Sequence, residues 1–292
     1  MVGIVDLAKL YLWDRYRSSS PKDYLSMGLG IEARRNRNKE RWNKHLEYSQ
    51  DFQRDQLVEQ RGFSVAILGA GRLYDVPCDF YAQRCEKVVL YDWDIGASKS
   101  WKEWRRRSEI KMEMNCCDIL GTLERWSQIF SRKPGDPEDV AKNLLELNVD
   151  YSVLPSVSED VVVSLNLLSQ LSVYWWDRVE KWLGESLISN RLITEALGTS
   201  CKELEEAHLH QLSNSGAERI IVLADRYLHY YKSSLAAWQT ESALFIDFPE
   251  SLPGYERVAS DSWFWHIAPQ GVEQPDYGEI RDVWAVAFRR MK

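Results

Sequence analysis

Gly69-Ala70-Gly71 closes one short apolar run, Asp92 and Asp94 close a second, and Cys117-Asp118 closes a third. Each residue type suits a different contact. Glycines without side chains let a ligand approach the backbone closely. An acid ending the next strand can accept hydrogen bonds from both hydroxyls of a ribose, with Asp92 the first choice and Asp94 the second. Asp118, with Cys117 beside it, is placed to accept from an adenine amino group. In chain order these clusters are consistent with an adenosine lying across three strand ends.

The glycine turn narrows the choice of adenosine. A dinucleotide fingerprint needs a third glycine where this chain has Tyr74. A bulky residue there hinders the close helix–strand packing that accompanies a bound pyrophosphate. S-adenosyl-L-methionine has no phosphate, and its carboxylate and ammonium need only the first two glycines and nearby polar groups.

These clusters must be positioned by a sheet. FSVAILGAG, from Phe63, is a short apolar run ending in glycines, as expected of a buried parallel strand entering a tight turn. KVVLYDWD and IKMEMNCCDIL offer a second and a third strand. VVVSLNLLSQL begins as a fourth strand and passes into a helix. RIIVLADRY is a fifth, and YERVASDSWFWHIAP and VWAVAFRR supply two more, close enough to pair antiparallel. DVPCDFYAQRC, SKSWKEWRRR, TLERWSQIF and the stretch from Leu192 to Ser215 read as the intervening helices. The alternation predicts an α/β, doubly wound, mostly parallel seven-stranded sheet with an antiparallel last strand. Residues 1–60 read as an N-terminal helical cap or lid, and 61–292 as the ligand-binding domain. The cap begins with an amphipathic helix carrying Val5, Leu7, Leu10, Tyr11 and Trp13.

Composition excludes several classes of function. A formal net charge of −7 disfavours indiscriminate contact with nucleic acid, which requires a broadly positive surface. The run Arg34, Arg35, Arg37, Lys39 and Arg41 is expected to be a solvated helix face. Five cysteines, an odd number without a C-x-x-C pair, fit reduced thiols and a cytoplasmic location better than a disulfide framework or zinc site. No apolar run has the length of a membrane span. His208 and His210, two apart in a helix, point to different faces, so no metal site is expected. No G-x-S-x-G elbow occurs.

VAILGAGRLYDVP, VVLYDWD, NCCDIL and SLNLLSQL stand in the order and at roughly the spacing of the nucleotide-site motifs of class I S-adenosylmethionine-dependent methyltransferases, which the chain resembles over about residues 60–290. Gly69 and Gly71 match the glycines of the family's first motif, Asp92 its ribose-binding acid and Asp118 its adenine-contacting acid. Ile67-Leu68 departs from the commoner first motif, which has an acid before the glycines. The longer string GAGRLYDVP also resembles an uncharacterised bacterial group of this class. The resemblance implies a Rossmann-like domain binding S-adenosyl-L-methionine at Gly69, Gly71, Asp92 and Asp118; Ala70, Asp94, Cys117 and Asn166, at the same strand ends, are expected to add cofactor contacts.

The acceptor side follows from the remaining strand ends. Asn166, Asp225 and Tyr227 are expected to orient or deprotonate a methyl acceptor. Gln170, Tyr174, Trp175 and Arg226 would line its pocket, and Trp42 and His45 would close over it from the cap. In-line methyl transfer needs mainly alignment and exclusion of water, worth about 7–11 kcal/mol in well-oriented systems. The expected partner is a small molecule or short peptide. Aminocarboxypropyl transfer or cleavage of the same cofactor, a nicotinamide-dependent oxidoreductase and a catalytically silent binding module stay open as alternatives.

Overall fold

β1 (Phe63–Leu68), β2 (Cys85–Asp92) and β4 (Val161–Leu165) are nearly continuous runs of β-branched and aliphatic residues because helices cover both of their faces. The computed structural model describes residues 21–120, 122, 128–130, 132–146, 149, 157–184, 188–232 and 235–292, with side chains left out for 21–27, 95 and 235–238. β3 (Lys111–Cys116) is the polar edge beyond β2. In register, Ala66 of β1 lies between Val89 of β2 and Val162 of β4, all parallel. β5 (Arg219–Lys232) continues the parallel set beside β4.

The strands run β3-β2-β1-β4-β5-β8-β7 across the sheet. β8 (Gly278–Arg290) is antiparallel to both of its neighbours, β5 and β7 (Tyr255–Ala268). The doubly wound fold and its antiparallel last strand are therefore present. One strand was not anticipated: β6 (Leu235–Ser242) folds back on the outer half of β5, giving eight strands in place of seven.

Helices α1 (Pro21–Arg37), α2 (Lys39–Leu57), α3 (Cys78–Arg84) and α4 (Ser98–Arg107) precede β3. α5 (Pro137–Leu145), α6 (Leu167–Leu183) and α7 (Arg191–Asn214) follow it. Alternation along the strands sends Val65, Ile67, Leu90, Val163 and Leu223 into one core with Phe52, Leu57, Tyr81, Trp101 and Trp104. Ala66, Leu68, Val89, Val162 and Val222 enter the opposite core with Leu168 and Leu212. α5, α6 and α7 share a third cluster around Trp175 and Leu197. On α7, the buried Glu205 accepts from Ser172 and from the backbone N–H groups of Phe245 and Ile246 at 2.8 and 3.0 Å. It thereby ties the segment after β6 to the helical layer.

No packing break marks the expected boundary near residue 60, since Phe52 and Leu57 of α2 belong to the same core as β1. α2 is also bound to β7: Trp42 Nε1 donates to the Ile267 carbonyl at 3.1 Å, and Trp263 Nε1 donates to His45 Nδ1 at 3.0 Å. Arg37 and Asn38, at the α1–α2 junction, both donate to Glu273. The amphipathic helix expected within the first 20 residues lies outside the described residues. So does most of TLERWSQIF, of which 128–130 are helical. The five cysteines carry free thiols. Among the described residues no helix is long and apolar enough to cross a membrane.

Candidate functional site

In an open parallel sheet the crevice for ligands lies at the carboxyl ends of the strands where their order reverses. Here that point is between β1 and β4. The turn after β1 is fixed by the end of β2: Gly69 and Ala70 donate to the Tyr91 carbonyl at 3.0 and 3.1 Å, and Gly71 N–H donates to Asp92 Oδ2 at 2.7 Å. Asp92 Oδ1 accepts from Asp94 N–H at 2.7 Å. The Asp92 carboxyl thus spans two loops, one backbone donor on each oxygen. Burial raises its pKa against the lowering pull of the backbone donors at Asp94, Gly71 and Trp93.

The two glycines do different work. Gly69 has φ +75°, and a Cβ there would stand 2.6 Å from the Leu165 carbonyl oxygen, so its missing side chain makes room for the β4–α6 junction. Gly71 has φ +46° and is loosely surrounded, a built Cβ meeting the Gly69 carbonyl oxygen at an ordinary contact distance of 3.9 Å. A ligand's close approach belongs to Gly71. Asp118 Oδ1 accepts from Leu120 N–H at 3.0 Å and the residue is half-buried. The neighbouring Cys117 donates its N–H to the Asp92 carbonyl at 3.1 Å, and burial pushes its thiol up to about 11.

Asp94 does not fit a ribose contact. Gly28 of α1 sits directly on it, so that a Cβ at Gly28 would fall 2.0 Å from Asp94 Oδ2. Its Oδ1 accepts from Gly96 N–H at 2.8 Å, and Arg72 Nε is 3.8 Å from Oδ2. Burial raises its pKa to about 6. Asp94 is the seat of α1.

On the β4 side, Asn166 adopts φ +52°, rare for a residue with a side chain. Its N–H donates to the Leu223 carbonyl at 2.8 Å, and its Nδ2 donates to Asp75 Oδ2 at 2.7 Å. Asn166 Oδ1 is buried without a partner. Asp75 lies near enough to Asp225 for the two charges to repel, and burial is the larger cause that lifts each to about 6. Asp225 is 2% exposed; its Oδ2 is 3.5 Å from Arg281 Nη1, and its Oδ1 has no partner.

His45 completes the cluster. An indole N–H can only donate, so the bond from Trp263 makes His45 Nδ1 an acceptor and leaves the hydrogen on Nε2. Burial lowers the imidazole to about 3, which keeps it neutral. Nε2 has no partner and points toward Asp75 Oδ2, 4.0 Å away. The ring stacks on Trp265 with centroids 4.0 Å apart.

Asn166, Asp225 and His45 are therefore brought together as expected, although His45 and Trp42 are locked to β7 and do not form a free lid. Arg226 and Tyr227 are not part of the cluster. A bulge in β5 after Asp225 turns them to another environment: Arg226 pairs with Asp282 at 2.8 Å and covers the Trp284 and Tyr227 rings. Tyr227 is exposed. Trp175 is fully buried and donates to Ser200 Oγ at 2.7 Å, and Tyr174 is buried in the same α5–α6–α7 cluster, so neither lines this crevice. Gln170 is half-buried on α6. Asp75, Arg281 and Trp265 were missed by the sequence reading. Asp75 stands six residues after Gly69, inside the string GAGRLYDVP, but no periodicity separates it from an ordinary turn acid.

No family model and no curated protein matches the chain. Solved structures with a related course of the chain include the 1,6-didemethyltoxoflavin-N1-methyltransferase of Burkholderia thailandensis, bound to its substrate and S-adenosylhomocysteine. It is 12% identical, with 94% of this chain and 92% of that one covered, at a TM-score of 0.41. The [4+2]-cyclase SpnF is 9% identical, covering 84% and 80%, at 0.42. The 16S rRNA methylase RmtB is 9% identical, covering 78% and 56%, at 0.35. Likenesses this distant transfer neither residues nor substrates.

Proposed function

We propose that the chain is an S-adenosyl-L-methionine-dependent methyltransferase whose acceptor is a small molecule or short peptide. The observation that carries the reading is the joint geometry of Gly71 and Asp92 at the switch point. Gly71 leaves room for a close approach to the backbone, and the Asp92 carboxyl holds the loop beside it through both oxygens. A ribose offers two adjacent hydroxyls to such a carboxylate. Asp118 on the next loop would take the adenine amino group. The cofactor, when bound, supplies an activated methyl group. Gly71, Asp92 and Asp118 would hold it, while Asp94 would not.

The acceptor's proton falls to the residues of the β4–β5 side. A carboxyl near pKa 6 is better matched to neutral solution as a base than an ordinary aspartate. Asp225, half of an ion pair with Arg281, and Asp75, bonded to Asn166, are the groups that would orient the acceptor and receive that proton. The negative net charge and the small, buried character of this cluster support a compact acceptor.

Calorimetric titration with S-adenosylmethionine, S-adenosylhomocysteine and NAD tests the reading, using the wild type and an Asp92→Asn variant. Asparagine retains one oxygen acceptor, which limits damage to the loop. Hydrogen bonds to charged groups contribute about 1.5–3 kcal/mol, so the variant should bind the first two ligands about ten- to hundred-fold more weakly. Preference for NAD, or no binding of any of the three, overturns the proposal. An acceptor screen of amines, alcohols, carboxylates, peptides and RNA on the same preparation then tests the acceptor class.

A further inference from the structure

The unsatisfied atoms around Asp75 form a pattern that the fold alone does not explain. Buried polar groups are nearly always paired, and each exception calls for a cause. Two acceptors, Asn166 Oδ1 just after β4 and Asp225 Oδ1 at the bulge of β5, and one donor, His45 Nε2–H on α2, lie unpartnered. His45 is 1% exposed and Asp225 2%, so bulk water does not readily complete them.

The charges point the same way. Asp75 feels Arg35 and Asp225; Asp225 feels Arg281, Glu279 and Asp282. Asp282 is paired with Arg226. Among the described residues, three carboxylates, Asp75, Asp225 and Glu279, then share two guanidinium groups, Arg35 and Arg281. One positive charge is missing. A proton shared by Asp75 and Asp225 would restore neutrality, but it would leave Asn166 Oδ1 and His45 Nε2–H unpaired. A ligand group with several N–H donors and an adjacent oxygen satisfies all of them.

We infer that Asp75, Asp225 and Asn166 form a subsite for a cationic amine on the methyl acceptor, with His45 Nε2–H receiving a hydroxyl or carbonyl oxygen beside that amine. The inference rests on the methyltransferase reading for the word acceptor, and on the buried geometry for the amine. An ammonium offers three donors, matched by one oxygen from each of the three side chains. The cofactor's own amino-acid end is a poorer occupant. Adjacent strands are about 4.8 Å apart, so Asp225 on β5 is about 14 Å across the sheet from Asp92 on β2, with β1 and β4 between them.

Thermal-shift and calorimetric titrations with 2-amino-1-phenylethanol, benzylamine and benzyl alcohol test this in the wild type, Asp75→Asn and Asp225→Asn. The amino alcohol should bind most tightly, benzylamine less so, and benzyl alcohol without saturable effect. Each variant should weaken both amines about ten- to hundred-fold while its S-adenosylhomocysteine affinity stays within about two-fold of wild type. Equal responses to amines and alcohol, no saturable amine response, or amine binding that survives both variants overturns the subsite. Loss of S-adenosylhomocysteine binding in Asp75→Asn or Asp225→Asn assigns these residues to the cofactor and overturns the acceptor role. Amine binding in a protein that never binds S-adenosylhomocysteine sustains the subsite and sinks the methyltransferase reading instead. Retained melting temperatures exclude unfolding as the cause of lost binding.

Discussion

Gly69→Ala is expected to destabilise the protein by about 3 kcal/mol or more, whereas Gly71→Ala should cost about 1 kcal/mol. Both glycines have positive φ, which is unfavourable for an L-residue by about 1–2 kcal/mol. Only at Gly69 does a Cβ also meet backbone, 2.6 Å from the Leu165 carbonyl oxygen and 3.1 Å from the Leu167 Cβ. Neither neighbour can rotate away, because β4 is paired on both sides and the Asn166 N–H is bonded to Leu223. The β1 turn or the β4–α6 junction must therefore shift. Urea unfolding of the two variants reads the difference directly. Equal losses would mean that the close approach of the two loops has been misassigned. Gly71→Ala should instead reveal itself in cofactor titration, as its methyl group projects into the space left above the turn.

A second large effect is a gain of stability on mild acidification. Burial raises Asp225 from an ordinary 3.8 to about 6 and Glu205 from 4.5 to about 7, and Asp75 and Asp94 move in the same direction. A carboxyl whose pKa is higher in the folded state holds its proton there more firmly than in the unfolded chain. Its contribution is complete below about pH 4 and disappears as the pH rises through about 6 to 7. A shift of two units corresponds to about 3 kcal/mol for one group. Glu273 works in the opposite sense, its pKa lowered by the hydrogen bond and charge of Arg37, and so do His45 and His208, which burial lowers to about 3 and about 4: below about pH 6.5 the unfolded chain binds protons that the folded state refuses. The four raised acids together outweigh these three groups, and stability should be modestly greater near pH 5 than near pH 8. Denaturation midpoints across that range check this; Asp225→Asn and Glu205→Gln should each flatten the slope and raise stability at pH 8. A slope of the reverse sign would show that these carboxyls are better solvated than their packing implies.

The sequence made the sheet readable where burial is two-sided. VAIL, VVLY, VVVSL and RIIVLA have one interpretation because a helix covers each face. It was less informative where burial is one-sided: β5 continues to Lys232 through Tyr230 and Tyr231, and β6 carries the mixed pattern LAAWQTES, so their hairpin had no distinct signature. At the site, the glycine turn and Asp92 were legible because a local motif fixes them. Asp94 was misread because its fate depends on Gly28, 66 positions earlier in the chain. Asp75 was overlooked because only tertiary packing sets it against Asn166 and Asp225. Trp42 and His45 were expected to close over the acceptor from a cap, and nothing in the α2 sequence discloses its two indole-mediated ties to β7.

Those ties also have a consequence for biogenesis. The bond between His45 and Trp263 spans 218 positions and that between Trp42 and Ile267 spans 225. During synthesis, α2 must wait for β7, and among the described residues β7 in turn has only β8 as a strand neighbour. The nascent chain therefore carries a tryptophan-bearing helix without its β7 partners until more than 200 further residues have been made, which favours slow folding and exposure to chaperones.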